Sequence, residues 1–136
     1  KDGALHINDG SYGNLFDAAH CKWPFPVKAH RPDGEFEGET QGFKLYGPTC
    51  DSLDAMEGPF VLPADIREGD YIELGMLGAY GVAMQTRFNG FGETETVGVK
   101  DLPWTSMYSV PAVEKRVASA TRRSGRKSPR RLKVVR

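Results

Sequence analysis

Within eight residues, Gly47-Pro48-Thr49-Cys50-Asp51-Ser52-Leu53-Asp54, the chain packs a turn, a thiol, two carboxylates and two hydroxyls. Gly-Pro punctuates the chain, and Pro fixes φ for a turn. Thr49, Asp51 and Ser52 can satisfy free backbone N–H groups there. A thiol in a loop beside carboxylates can touch a substrate, although a lone Cys is more often a small buried hydrophobe. The carboxylate beside Cys50 disfavours a thiolate, which argues against a protease-like nucleophile. Asp51 and Asp54 could receive a cation or an amine, or could cap the turn; Asp54 is the better placed of the two for a structural role. Asp17 follows Phe16. A ring beside a carboxylate suits an aminoalkyl chain, the ring covering methylenes and the carboxylate meeting the ammonium; the plainer reading is an exposed acid. Tyr80 lies between Gly78 and Gly81. Glycines let backbone approach a ligand, and a phenol can donate to a phosphate oxygen; otherwise Tyr80 fills a strand face. Phe88 and Phe91 in Phe88-Asn89-Gly90-Phe91 are either core or a ligand wall. His6, His20, His30 and Cys21 fit no recurrent metal-ligand spacing, and no nucleophile-elbow, Walker or dinucleotide glycine pattern is present.

These side chains need elements to hold them. Residues 4–7 read as a strand, and Asn8-Asp9-Gly10 as a turn. Residues 11–20 form a short helix or a loop, with Gly13 against a long helix. Two prolines keep Trp23–Val27 out of a central strand, and a strand over Val27–His30 follows. Phe43 and Leu45 alternate with Lys44 and Tyr46, which predicts a strand over Gln41–Gly47. Phe60–Leu62 is a further strand stopped by Pro63, and Asp65–Gly69 is a turn. Asp70–Gly75 alternates clearly, Gly78–Arg87 and Thr96–Lys100 are further strand candidates, and Trp104–Tyr108 is the last. About seven short strands between Gly/Pro turns predict an all-β barrel or sandwich.

A length of 136 residues is one domain's worth. The chain starts at Lys1, in a segment that already reads as a strand, which suggests a piece of something longer. Apolar runs are too short for a transmembrane helix, and no signal peptide is visible. Two cysteines are too few for a disulfide framework, so a reducing, cytoplasmic setting is the expectation. The net charge of zero hides an asymmetry. Residues 1–114 hold 8 Lys+Arg against 18 Asp+Glu, a net of −10, whereas residues 115–136 hold 10 Lys+Arg and no acid. The expected division is a β-domain over 1–109 and a basic tail over 110–136. Val110–Arg123 could form a helix turn or two, and the rest of the tail cannot bury enough apolar surface to fold alone. Clustered Lys/Arg can contact a polyanion such as nucleic acid, although interleaved aromatics are lacking and a solvated extension is the plainer reading.

Asn8-Asp9-Gly10-Ser11-Tyr12-Gly13, Phe16-Asp17, the Gly47–Asp54 octet, Gly78-Ala79-Tyr80 and Phe88-Asn89-Gly90-Phe91 occur in that order. Together they resemble the carboxy-terminal β-domain of the fold-type III pyridoxal-phosphate decarboxylases, in the ornithine/lysine branch, over about residues 4–109. The resemblance implies a head-to-tail homodimer in which an amino-terminal (β/α)8 barrel carries the Schiff-base lysine and most of the phosphate site. It implies that Tyr80 contacts the cofactor phosphate and that Cys50 crosses from the partner subunit to the substrate and cofactor. There the thiol would serve protonation after decarboxylation. Asp51 and Asp17 match the carboxylates that receive the distal amine of a diamino acid, and Phe88 matches an aromatic wall beside them. Phe16 stands where many eukaryotic members have Tyr, and Ala18 rather than His follows Asp17, which reads as a bacterial branch. Diaminopimelate-specific members carry Glu after the Cys; Asp51 here favours ornithine or lysine. No barrel is present in this sequence, so the chain alone is expected to be inactive. Two other classes stay open: a non-catalytic partner that dimerises with a full-length decarboxylase and regulates it, and a stand-alone β-domain whose tail binds a polyanion.

Overall fold

The computed structural model describes residues 3–100, 102 and 104. The expected strand over Trp104–Tyr108, the helix turns over Val110–Arg123 and the basic tail lie outside the described residues, save Trp104, which is in no strand.

Alternating burial builds the main sheet. β3 (Thr40–Tyr46) turns Phe43 and Leu45 inward. β4 (Ala55–Pro63) turns Met56, Phe60 and Leu62 inward, and pairs antiparallel with β3. β1 (Ala4–His6) adds to the other side of β3 in parallel. β2 (Val27–His30) and β5 (Tyr71–Leu74) make a separate antiparallel pair. β2 also lies against β4, which brings the two sheets together. Two helices are short: α1 (Phe16–His20), packed on β4, and α2 (Gly78–Ala83). The core joins Leu15, Ala18, Phe25, Leu45, Met56 and Phe60, with Leu5, Val27, Ile72 and Leu77 packed against it. Among the described residues no helix is long and apolar enough to cross a membrane.

The molecule is mainly β, as expected, but four details differ. Five strands in two sheets are present among the described residues, not seven, and the sheets do not close into a barrel. β4 begins at Ala55 rather than Phe60. The register with β3 slips between Phe43 and Leu45, where β4 carries Gly58-Pro59. Pro59 offers no ladder donor, and Gly58 sits at φ +69 with Phe43 O and Phe60 N where a Cβ would be. The strand therefore runs through a bulge that in sequence looks like a stop. Gly78–Arg87 is not a strand. Its first half is α2, in which Gly81 is buried and the Leu77 side chain lies 3.2 Å from where a Cβ would stand. Thr96–Lys100 is irregular, with Val97 and Val99 exposed and no neighbouring strand to pair with among the described residues.

Candidate functional site

Three loops meet at one end of the main sheet: residues 7–15 after β1, 47–54 between β3 and β4, and 84–92 after α2. Asp54 fastens the first two. It is 2% exposed. Its Oδ1 accepts the Ser11 N–H at 2.7 Å, and its Oδ2 accepts the Thr49 N–H at 3.0 Å and the Thr49 hydroxyl at 2.7 Å. Gly10 and Gly47 flank this carboxylate so closely that a Cβ at either would collide with it. Asp54 is thus a structural staple. Asp9 shapes the first loop, with Oδ1 accepting the N–H groups of Gly10 and Asn14.

On this base stand Cys50 and Asp51. Asp51 Oδ1 accepts the Leu53 N–H at 2.9 Å, and its Oδ2 accepts the Tyr12 hydroxyl. The Leu53 N–H, then the Tyr12 hydroxyl, hold the Asp51 carboxyl below the usual carboxylate range, so it is anionic at neutral pH. The same hydrogen bond to Asp51, with desolvation and the negative charges of Asp51 and Asp54, pushes the Tyr12 phenol up. Two hydrogen bonds leave acceptor capacity on Asp51, which is half-buried. Cys50 is exposed, against the buried-hydrophobe reading, and the Asn89 amide donates to its sulfur at 3.0 Å. Phe88 stacks on Tyr12 with ring centroids 4.4 Å apart. The Thr86 N–H and hydroxyl both donate to the Tyr12 carbonyl, at 2.8 and 3.2 Å.

The loops therefore bring Cys50, Asp51 and Phe88 together. Among the described residues no hydrogen bond or ring contact joins Asp17 or Tyr80 to them. Asp17 lies on α1, half-buried, and its carboxylate faces the Cys21 thiol at 3.8 Å. The Phe16 ring lies tilted against His20, with centroids 4.3 Å apart. Tyr80 is on α2 and 69% exposed. Tyr12 and Asn89 carried no role in the sequence reading, although both stand inside the motifs that carry the resemblance. Their partners lie 39 residues away, beyond any local pattern.

A cavity of about 170 Å³ is lined by Asp9, Tyr12, Thr49, Asp54, Thr86 and Phe88 among others, and by neither Cys50 nor Asp51. It is smaller than the roughly 300–1,000 Å³ of a site that engulfs a ligand. Cys50 and Asp51 stand outside it, and Phe88, which lines the cavity, is itself partly exposed beside them. Among the described residues no three His, Cys, Asp or Glu side chains gather as metal ligands.

The C-terminal sheet domain of the pyridoxal-dependent decarboxylases matches residues 2–78, more than half of the chain. The chain belongs to this family. Ornithine decarboxylase of Cricetulus griseus is 34% identical over 110 residues, which is 77% of this chain and 23% of that protein. Antizyme inhibitor 2 of Xenopus laevis is 36% identical over 93 residues, 65% of this chain and 19% of that protein. The crystal structure of lysine/ornithine decarboxylase complexed with cadaverine from Vibrio vulnificus superposes with a TM-score of 0.59 at 28% identity, covering 74% of this chain and 27% of that one. The chain thus spans about a quarter or less of the length of these relatives. The bacterial branch read from Phe16 is not borne out: these two animal proteins match at higher identity than the bacterial one.

Proposed function

We propose that this chain completes the active site of a pyridoxal-phosphate-dependent decarboxylase of the ornithine/lysine type, as the carboxy-terminal domain of a cytoplasmic homodimer. The reaction would convert a diamino acid to a diamine and CO2, as in putrescine formation for polyamine biosynthesis. The observation that carries the reading is the open face itself: an anionic Asp51 and an exposed thiol, both outside the small cavity that Phe88 lines, with the Phe88 ring stacked on the tyrosine that holds Asp51. That is the form of half a site, and the missing half would be the barrel.

The described residues fit a minor share of the cofactor. Tyr80 offers one exposed phenol donor for a phosphate oxygen, and Gly78 beside it has open space around its Cβ position. A phosphate needs several donors, so the rest would come from the barrel. When bound, pyridoxal phosphate supplies the electron sink for loss of CO2. This chain's residues supply part of the positioning. Asp51 takes the distal ammonium in a charge-assisted hydrogen bond. Phe88 packs against the methylenes, which excludes water from one side of the substrate. Asp17 adds a second carboxylate toward the amine. Cys50 holds its proton at Sγ for the α-carbon, where a C–H bond replaces the broken bond to the departing CO2. Ornithine and lysine differ by one methylene, which such a pocket separates only modestly.

The test joins the chain to its barrel and measures kcat/KM with ornithine and lysine. Asp51→Ala should lower both by roughly 10–100-fold, the value of a hydrogen bond to a charged group. Unchanged turnover would remove Asp51 from its role. The chain without a barrel should release no CO2 from either substrate when pyridoxal phosphate is added. A second reading is favoured by the 36% identity to antizyme inhibitor 2, a protein named for inhibition rather than decarboxylation. In it the chain pairs with a full-length decarboxylase and regulates it. Co-purification with such an enzyme, together with altered turnover of that enzyme, would select this reading.

A further inference from the structure

Cys50 and Asp51 are consecutive residues of one loop, exposed and half-buried respectively, in which the Leu53 N–H already holds Asp51 Oδ1 at 2.9 Å. Both side chains are also gripped from outside the loop. Tyr12 donates its hydroxyl to Asp51 Oδ2, and Asn89 donates its amide to Cys50 Sγ at 3.0 Å. The two grips belong to one assembly. The Tyr12 ring stacks on Phe88, the residue before Asn89. The Thr86 N–H donates to the Tyr12 carbonyl at 2.8 Å, and the Phe88 N–H donates to the Thr86 hydroxyl at 3.3 Å.

We propose that Tyr12 and Asn89 are positioning residues, a two-point clamp that holds the Asp51 carboxylate and the Cys50 thiol as a fixed pair on the open face. The clamp deepens the decarboxylase reading and rests on it for its purpose. Each residue has an alternative explanation that the structure separates. Asn89 sits at φ +56, a left-handed position that Asn tolerates well. Glycine would serve that backbone equally; what Asn adds is the amide. Tyr12 stacks on Phe88, which a phenylalanine would do equally; what Tyr adds is the hydroxyl on Asp51. The direction of the second bond matters chemically. The amide donates and the sulfur accepts, so the thiol's own hydrogen stays free to point away from the loop.

The experiment uses the full chain with Cys21→Ser as background, so that Cys50 is the one thiol. The readouts are the rate of Cys50 alkylation by iodoacetamide and the titration of the Asp51 carboxyl followed by 13C NMR, with circular dichroism checking the fold. Asn89→Gly keeps the left-handed turn and removes the amide; alkylation should accelerate several-fold. Asn89→Asp keeps the size but sets a carboxylate against the sulfur, which disfavours the reactive thiolate; alkylation should slow several-fold, a readout that stands if the glycine variant does not fold. Tyr12→Phe should move the Asp51 titration back toward the ordinary carboxylate range. Wild-type alkylation in a folded Asn89→Gly or Asn89→Asp chain, or an unmoved Asp51 titration in folded Tyr12→Phe, overturns the clamp. Neither readout needs substrate or cofactor. If both move but the chain joined to its barrel decarboxylates no diamino acid, the function falls and the clamp stands. A working decarboxylase with neither readout moved removes the clamp alone.

Discussion

Arg31 and Asp51 each stand at the centre of a polar cluster made of loops, and their bonds are met to different degrees. Arg31 uses all five guanidinium N–H groups. Nε and Nη2 donate to the two Asp70 carboxylate oxygens at 2.9 and 2.8 Å, and Nη1 donates to Asp65 Oδ2 and the Glu35 carbonyl. Nη2 also donates to the Asp65 carbonyl at 2.8 Å, and the guanidinium lies over the Phe36 ring. The Arg31 and Asp70 side chains are 8% and 2% exposed. Asp51, by contrast, accepts two hydrogen bonds and remains half-buried on an open face. A saturated, buried cluster has nothing left for a ligand. A carboxylate held rigid yet partly unsatisfied does. The difference separates a clamp of the fold from a candidate site, although both are built from aspartates in turns.

The strongest way to break the comparison is Arg31→Ala. It leaves Asp65 and Asp70 without their cation, and should lower the urea midpoint more than either Asp54→Ala or Lys44→Ala. The pH dependence has a definite sign. Arg31 chiefly holds the Asp70 carboxyl down to about 2, and Asp65 also lies below its ordinary value. A depressed folded value means stability that is present above the unfolded value near 4 and is lost as pH falls from there through about 2. Unfolding midpoints should drop across that window in the native chain and change less in Arg31→Ala. An equal drop in both would dissociate the cluster from acid stability.

Asp54→Ala comes next. It strips the acceptor from the Ser11 N–H and from the Thr49 N–H and hydroxyl, and should cost on the order of 3 kcal/mol in denaturant unfolding. It would also release both loops of the site, so Cys50 alkylation should rise with it. A folded variant with native Cys50 reactivity would show that the staple does not reach the site.

The strands were legible where period two met an inward face: β3 and β5 match their alternating side chains, and β2 spans the residues expected of it. β4 was half legible, since Gly58-Pro59 reads as a stop locally and becomes a bulge only because β3 pairs on both sides of it. α2 was not legible. Ala79-Tyr80-Gly81-Val82 alternates small and large much as a strand does, whereas the backbone turns through α2 with Gly81 buried beneath Leu77 and beside Asn14. The same division runs through the site. Cys50, Asp51 and Phe88 could be read from motif order, and the structure brings them together. Their holders, Tyr12 and Asn89, act through contacts that no local pattern encodes. The roles of Asp17 and Tyr80 still rest on motif order, because no contact among the described residues ties them to Asp51.

A gentler probe sharpens the contrast from the alkaline side. The Tyr12 phenol is raised above its ordinary value, chiefly by its hydrogen bond to Asp51. A raised folded value means stability that is complete below the unfolded value near 10 and is lost as pH rises through the folded one. The Arg31 guanidinium, pushed up from an already high value, does not titrate there. The site should therefore loosen first in alkali, seen as tyrosine ionisation coupled to faster Cys50 alkylation. Tyr12→Phe should abolish the coupling.

The smallest effect is expected at Lys44 and Glu57, on β3 and β4. Their ion pair, at 2.6 Å, is shorter than any of the Arg31 contacts, and Glu57 chiefly raises the Lys44 ammonium. Distance alone would rank it as the strongest ion pair among the described residues. Exposure reverses the order: the two side chains are 31% and 56% exposed, so water and salt screen both charges and solvate whichever is left alone. Lys44→Ala should barely move the urea midpoint, and added salt should erase what movement there is. If it cost as much as Arg31→Ala, burial would not be what divides the clusters, and the reading of Asp51 as a carboxylate kept available would lose its physical ground.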